Sequence, residues 1–377
     1  MRDFDLVVCT PGVPAEREFW SALVGRAAGP DGRVVAEATW PGGDVADLLA
    51  DIRTLRRRHE SEHLLLTARL DDETSIAVLR EVYRDRLWQI DVAGNESRSG
   101  ARPPGDVVVG SGDPLGCAVL DRFVRMAFCG GSGSPDMDEQ SMYFAAGAAL
   151  RSAAMRGQAG AAICDATGDL IAVGTNEAPK AGGGQYWTGD AVDGRDSAKF
   201  GFDFATSERR RDFDSVLDWL VDIDKLSLVE REEASSLARR RPPGVKLPRV
   251  LRGEARGRVV HAEESALLSA ARRGVAVDGG RAFVTQIPCH LCLRHMVMAG
   301  VSSVRYLQCG DPSELLYRHD DAVSWNSRHA DGLVSLAPFA GIAPRGYPRL
   351  FACDASRNTT MRDWSPLLED AICEGSR

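Results

Sequence analysis

Two short segments carry the residues best suited to chemistry. The first is Arg258-Val259-Val260-His261-Ala262-Glu263, and the second is Ile287-Pro288-Cys289-His290-Leu291-Cys292. His261, Cys289 and Cys292 offer one imidazole nitrogen and two thiolates, a donor set suited to zinc that leaves a fourth tetrahedral position open. A metal so held lowers the pKa of a water molecule toward neutrality. Glu263 lies two residues beyond His261, where a carboxylate can act as a general acid and base rather than as a ligand. The pattern therefore implies metal-assisted hydrolysis. A structural zinc would call for a fourth protein ligand; His290 and His295 are the nearby candidates, and the spacing delivers neither. A lone C-x-x-C would read equally as a redox pair, but here it follows a proline and an upstream H-x-E.

These residues need elements to position them. Ala262 to Arg273 is predicted as a helix closed by Gly274, which places His261 and Glu263 at its N-terminus. Arg281 to Gln286 reads as a strand. Pro288 suits a helix start, and Cys289 and Cys292 at i and i+3 share one face of the next helix. A further strand spans Ser303 to Leu307. Helix N-termini carry partial positive charge and favour thiolates.

The chain has 377 residues, 44% hydrophobic and 27% charged, with a formal net charge of −8. Such a length suggests two domains. No apolar run approaches a membrane span and the N-terminus lacks a signal-peptide pattern, so a cytoplasmic protein is expected. The nine cysteines form no disulfide framework. The acidic balance argues against broad nucleic-acid binding, which rests on phosphate neutralisation. Three basic runs, Arg56–Arg58, Arg209–Arg211 and Arg239–Arg241, read as solvated helix faces or as phosphate or RNA contacts.

Along the chain, Phe4 to Cys9, Leu64 to Arg69 and Asp106 to Val109 read as strands, with helices over Ala15–Val24, Glu73–Val82 and Ala118–Phe128. This alternation predicts a small parallel α/β unit over residues 1–129. It begins like a P-loop domain but has no G-x-x-x-x-G-K-[ST]. Gly130 to Pro135 reads as a linker (130–136), and the second domain runs over 137–377. Within it we expect a helix over Glu139–Arg156, a hairpin over Gly160–Val173, and a polar insertion at about 190–256. The insertion contains an amphipathic helix over Asp212–Lys225, with Val216, Leu217, Leu220 and Val221 as an apolar stripe that packs against the domain or a second subunit.

From Met137 to Phe351 the chain resembles the deoxycytidylate deaminase family, most of all the two-domain antiphage dCTP deaminases of bacteria. The zinc motif carries this. So do Arg156-Gly-Gln158-Ala-Gly-Ala-Ala-Ile163, Gly174-Thr-Asn176-Glu-Ala-Pro179-Lys180-Ala-Gly182-Gly-Gly-Gln-Tyr186-Trp187, and the late segments 306–323 and 338–347. Pro312 stands where the family pattern has a lysine. The resemblance implies a three-layer α/β/α deaminase domain preceded by a small degenerate P-loop-like α/β domain serving regulation or assembly. It implies zinc-dependent deamination of a free cytosine deoxynucleotide, dCTP or dCMP, in antiphage defence by nucleotide depletion. The alternative is a cytosine nucleoside or nucleotide deaminase of pyrimidine metabolism or nucleoside-antibiotic biosynthesis. It also implies a homo-oligomer and an inhibitory partner such as a small RNA. By the same resemblance Asn176 contacts sugar or base, the backbone at Ala262 faces the base, Lys180 and Arg345 meet phosphate, and Tyr186 or Trp187 stacks on the base or acts as a lid. On residue chemistry alone, Asn176 could equally cap a turn, Lys180 and Arg345 could be surface charges, and the two aromatics could be core.

Overall fold

The structure is a computed structural model. It describes residues 133–240, 257–308, 313–325 and 332–352, together with shorter stretches before residue 133: 4–9, 39–40, parts of 46–54, 64–69, 73–83, 87–93, 105–110 and 114–128. The expected helix at 15–24, the Arg56–Arg58 run and the C-terminal tail lie outside the described residues. No helix among the described residues is long and apolar enough to cross a membrane.

The chain forms two compact units, Met1–Val92 with Gly105–Asp136 and Ala340–Arg377, and Ala93–Pro104 with Met137–Phe339. In the first unit the strands are β1 (Phe4–Cys9), β2 (Thr39–Trp40), β3 (Leu64–Arg69), β4 (Leu87–Ala93) and β5 (Val107–Gly110). Helices α1 (Glu73–Tyr83) and α2 (Pro114–Phe128) accompany them. A last strand and helix arrive from the far end of the chain and are labelled below. With β12 (Gly341–Ile342) as that last strand, the sheet order is β12-β5-β4-β1-β3-β2, and β1 is parallel to both β3 and β4. Trp88, Ile90, Val107, Val109, Leu120 and Phe123 form its core.

The second unit carries the predicted metal donors. Its strands are β6 (Gly160–Cys164), β7 (Leu170–Thr175), β8 (Arg281–Gln286), β9 (Ser303–Gln308), β10 (Val323–Trp325) and β11 (Val334–Pro338), in the order β10-β11-β9-β8-β6-β7. The hairpin β6–β7 is antiparallel, β6 meets β8 antiparallel, and β8, β9, β11 and β10 run parallel. Its helices are α3 (Met137–Ala149), α4 (Asp196–Lys199), α5 (Phe204–Asp222), α6 (Leu228–Arg240), α7 (Ala262–Arg272), α8 (His290–Met298) and α9 (Ser313–Arg318).

Two glycines show how the layers stack. A Cβ at Gly160 would overlap the Ala145 carbonyl and Ala149 of α3, and one at Gly174 would overlap the Ala262 carbonyl and Ala266 of α7. Gly160 pairs with Thr175 and Ala161 with Gly174. Side chains alternate across a strand, so α3 and α7 cover opposite faces. The result is an α/β/α sandwich. On the α7 face, Ala161, Ala266, Val284, Leu293 and Met296 form one core, so α7 and α8 share that side.

Three sequence expectations differ from the structure. The helix expected over 139–156 ends at Ala149. Beyond it the Ser152 hydroxyl donates to the Asn176 carbonyl, and the Glu177 carboxylate accepts the Ala153 N–H, so that the backbone turns away. The insertion holds two long helices rather than one. Helix α5 starts at residue 204, capped by Asp203 accepting from Thr206 N–H at 2.8 Å, and α6 follows a short turn. Of the expected apolar stripe, Leu217 is buried while Val216 is exposed. Finally, the stretch after Phe339, which the sequence assigned to the second domain, supplies β12 (Gly341–Ile342), antiparallel to β5, and α10 (Tyr347–Phe351), whose Leu350 joins the first unit's core.

The α5–α6 turn is closed by standard end chemistry. Asp224 N–H bonds the Val221 carbonyl and Lys225 N–H the Leu220 carbonyl, the Schellman pattern. It forces Asp224 to φ 56°. Ser227 and Glu230 then cap each other, Glu230 N–H to Ser227 Oγ and Ser227 N–H to Glu230 Oε2, a capping box.

Candidate active site

His261 and Cys289 occupy equivalent places in their helices. Each is the N-cap residue, with extended backbone, of α7 and α8 respectively. Cys292 lies one turn into α8 and is buried. Cys289 Sγ accepts the Cys292 backbone N–H at 3.4 Å, taking the place of a capping oxygen. His261 Nδ1 is 3.6 Å from Cys289 Sγ and 3.4 Å from Cys292 Sγ. The three donor atoms lie within 4.8 Å of one another, and no other such group occurs among the described residues. One borderline nitrogen and two soft sulfurs at two helix N-termini fit a zinc ion, and three protein ligands leave room for a fourth.

The protonation of these groups follows from their crowding. The Cys289 sulfur holds the His261 proton, raising its pKa to about 9 against the opposing effect of burial. The Cys292 thiol is pushed up, first by its hydrogen bond with Cys289 and then by burial. Metal binding must displace these protons.

Glu263 is the second residue of α7 and is buried. Burial raises its carboxyl pKa to about 7, opposed by its own backbone N–H and the charge of His261. A carboxyl group poised near neutral pH can both take and return a proton. Ala262 is buried beside it, its carbonyl directed at Gly174.

The approach to His261 is held by residues that sequence reading did not single out. Glu177 and Val260 exchange backbone hydrogen bonds, 3.3 and 3.1 Å. The buried Glu177 carboxylate accepts the Ala153 and Ala178 N–H groups at 3.0 and 2.8 Å. Arg258 donates to the Gly194 carbonyl and stands 3.3 Å from buried Asp196, tying the insertion to the segment that leads into His261. A charged residue flanked by Asn176 and an apolar pair was the available signal for Glu177. Arg258 and Asp196, 62 residues apart, offered none.

The other expected contacts fall in different places. The Asn176 carboxamide oxygen accepts the Ala159 N–H at 2.7 Å, and its amide donates to the Gly157 carbonyl at 2.9 Å. Lys180 pairs with Asp190 at 2.6 Å. Lys180 and Trp187 line a groove of about 940 Å³ along the open edge of β7, with Arg151, Gln185 and Arg272. None of His261, Glu263, Cys289 and Cys292 lines it. Trp187 is exposed, with the Arg151 guanidinium 3.7 Å from its ring centre. Arg151 also donates to the Gln185 side chain and the Tyr186 carbonyl. Tyr186 packs against Gly194, where a Cβ would meet its ring. Arg345 belongs to the first unit and is exposed. The structure thus gathers His261, Glu263, Ala262, Cys289 and Cys292, and sets Lys180 and Trp187 in the β7-edge groove.

Comparison with known proteins adds the following. Residues 135–308 match the family model described as the cytidine and deoxycytidylate deaminase zinc-binding region. ComE operon protein 2 of Bacillus subtilis is 37% identical over 51 residues, 14% of this chain. The match spans 27% of that relative's length. Among solved structures, the dCMP deaminase of cyanophage S-TIM5 in apo form is 18% identical, over 54% of this chain and 99% of that one, with a TM-score of 0.28. The same phage enzyme with dCMP and dUMP gives 18%, 55%, 99% and 0.30. A diaminohydroxyphosphoribosylaminopyrimidine deaminase/5-amino-6-(5-phosphoribosylamino)uracil reductase of Thermotoga maritima gives 14%, over 57% of this chain and 39% of that one, with a TM-score of 0.27.

Proposed function

Because residues 135–308 belong to the cytidine and deoxycytidylate deaminase zinc-binding family, we infer that this protein hydrolyses the exocyclic amine of a free cytosine deoxynucleotide, dCTP or dCMP. The products are the uracil nucleotide and ammonia. The observation that carries this is the convergence of His261 Nδ1 on the sulfurs of Cys289 and Cys292, with buried Glu263 two residues away.

The residues divide the work. His261, Cys289 and Cys292 hold the zinc, which when bound makes a water molecule acidic enough to act near neutral pH. Glu263 takes a proton from the attacking water, places it on the ring nitrogen, and returns a second proton to the departing amine. Its burial, which raises its carboxyl pKa to about 7 in the metal-free site, favours a carboxyl that returns the proton it takes. The new C4–oxygen bond replaces the C4–nitrogen bond, so water in and ammonia out balance. The close approach of Gly174 to α7 and the Glu177–Val260 bridge hold the start of α7, with His261 and Glu263, against the end of β7.

On the resemblance of the 174–187 stretch and the insertion, we propose that the reaction depletes a deoxynucleotide pool during phage infection. In that reading the first unit is a degenerate P-loop-like regulatory or assembly module, the protein is an oligomer, and a regulator such as a small RNA restrains it. Asn176, Lys180, Tyr186, Trp187 and Arg345 remain proposed nucleotide contacts. The test is incubation of zinc-loaded protein with dCMP, dCTP, CMP, CTP, deoxycytidine and an adenine nucleotide, reading product mass. Conversion confined to a cytosine deoxynucleotide supports the reading. Conversion of the adenine nucleotide alone overturns it.

A further inference from the structure

His261 is reached through a short strap, residues 257–260, that has two anchors. One is Glu177, which exchanges backbone hydrogen bonds with Val260 and whose own carboxylate is fixed by the Ala153 and Ala178 N–H groups. The other is the start of the insertion. Gly257 packs so closely there that a Cβ on it would stand 2.8 Å from the Ala205 Cβ. Arg258 donates through Nη1 to the Gly194 carbonyl at 2.5 Å and stands 3.3 Å from Oδ1 of Asp196, the first residue of α4. Its guanidinium lies 5.7 Å from the ring centre of Phe200, and that ring neighbours Phe202 and Phe204 at 5.8 and 5.2 Å.

The Arg258 contact differs from a surface ion pair. Asp196 is 5% exposed, and Arg258 is its only ion-pair partner among the described residues. Its second oxygen, Oδ2, meets no hydrogen-bond donor among them. A buried carboxylate is costly unless a cation stands beside it, so Asp196 fixes where the guanidinium must lie. One nitrogen serving both a carbonyl and a carboxylate narrows that place further. Only Val259 and Val260 separate Arg258 from His261, about 10 Å of chain at roughly 3.3 Å per residue. The strap therefore has little slack. The metal donors come from two helices, His261 at the start of α7 and Cys289 and Cys292 at the start of α8. Their convergence requires the start of α7 to keep its place relative to α8.

We propose that Arg258 is a positioning residue for His261. Through Gly194 and Asp196 it anchors the strap to the insertion, in addition to the anchor that Glu177 supplies at Val260. Arg258 supplies no metal ligand and acts only through the strap. The start of the insertion, 194–205, then belongs to the frame of the metal centre. The proposal rests on the reading of His261, Cys289 and Cys292 as a zinc site.

Two measurements on the full-length protein test it: zinc affinity, by competition with a chelating dye, and denaturant unfolding of the metal-free form. The variants are Arg258→Met, Asp196→Asn and the two combined. Arg258→Met is expected to bind zinc about tenfold more weakly, the lower end of what is lost with a ligand's supporting partner. It should also lose stability, because Asp196 is left buried and unpaired. Asp196→Asn keeps an oxygen facing Arg258 and is expected to bind zinc like wild type. The double variant leaves no buried charge unpaired. Its unfolding midpoint should return toward wild type while its zinc affinity stays as low as that of Arg258→Met. Recovery of both together would reduce Arg258 to a stabilising role and overturn the proposal, as would wild-type zinc affinity in Arg258→Met. Should Arg258→Met fail to fold, the double variant is compared with Asp196→Asn: weaker zinc binding supports the proposal, and equal binding overturns it. Wild type that binds no zinc would overturn the reading of the site itself, and the proposal with it.

Discussion

The α7–α8 pair and the α5–α6 pair are both helix pairs with amphipathic sequences, yet they spend their apolar residues differently. Helices α7 and α8 bury Ala262, Ala266, Ala270, Leu293 and Met296 against the sheet, and leave His261, Cys289 and Cys292 at their starts as a convergent donor set. Helices α5 and α6 bury Leu217, Arg209 and Ser235 and turn Val216, Trp219, Leu228 and Val229 outward. In the first pair, packing fixes chemistry to within hydrogen-bond distances. In the second, local capping and ion pairs fix the helices, and apolar side chains stay exposed. The same periodicity therefore predicts a helix without predicting what the helix meets.

The comparison can be broken first at the metal. Cys292→Ser is expected to lose zinc and to drop turnover to the uncatalysed level, because two donors do not make this site; metal content by mass spectrometry checks it. Full zinc occupancy in that variant would remove Cys292 from the donor set. Next come the cores themselves. Leu293→Ala should cost about 2–5 kcal/mol, whereas Val216→Ala on the exposed α5 face should stay within about 0.5 kcal/mol, both read by denaturant unfolding. Equal costs would erase the distinction drawn between the two pairs. Gly174→Ala should cost about 1–3 kcal/mol through overpacking against α7 and weaken zinc binding with it, since α7 carries His261. A variant with unchanged zinc affinity would show that α7 can shift without moving the site.

Smaller effects sharpen the picture. Zinc affinity should fall as pH drops below about 9, where the metal-free His261 is protonated and zinc must displace that proton. Titration calorimetry in buffers of different ionisation enthalpy would show the released protons. A pH-independent affinity would contradict the crowding described here. Asp224→Gly should stabilise the hairpin by up to about 1 kcal/mol, since glycine adopts the left-handed conformation freely. A loss of stability would mean that the Asp224 side chain holds the turn in some other way.

The convergence of His261, Cys289 and Cys292 was legible in the sequence because their placement is local. An N-cap histidine and an N-cap cysteine are set by the helix starts alone, and i, i+3 spacing brings Cys292 round to Cys289. The end of α3 was not legible, because it is set by Glu177 and Ser152 hydrogen bonds between segments 24 residues apart. Helix α6 was missed for want of an apolar period, although Ser227-x-x-Glu230 announces its start. The pairing of β12 with β5 spans more than 200 residues of chain and only two residues of strand, so no periodicity could show it. Asn176 was read as a nucleotide contact or a turn cap. Its two hydrogen bonds to residues 157 and 159 display the second role, and the first remains proposed.

The central claim is that Glu263 moves the protons while His261, Cys289 and Cys292 hold the metal. The most direct test compares wild type with Glu263→Gln, both zinc-loaded, for ammonia released from dCMP and dCTP and for metal content. Full zinc occupancy in Glu263→Gln, with turnover lowered about 10²–10⁴-fold or more, is the predicted result. Turnover equal to wild type at full zinc occupancy would contradict it.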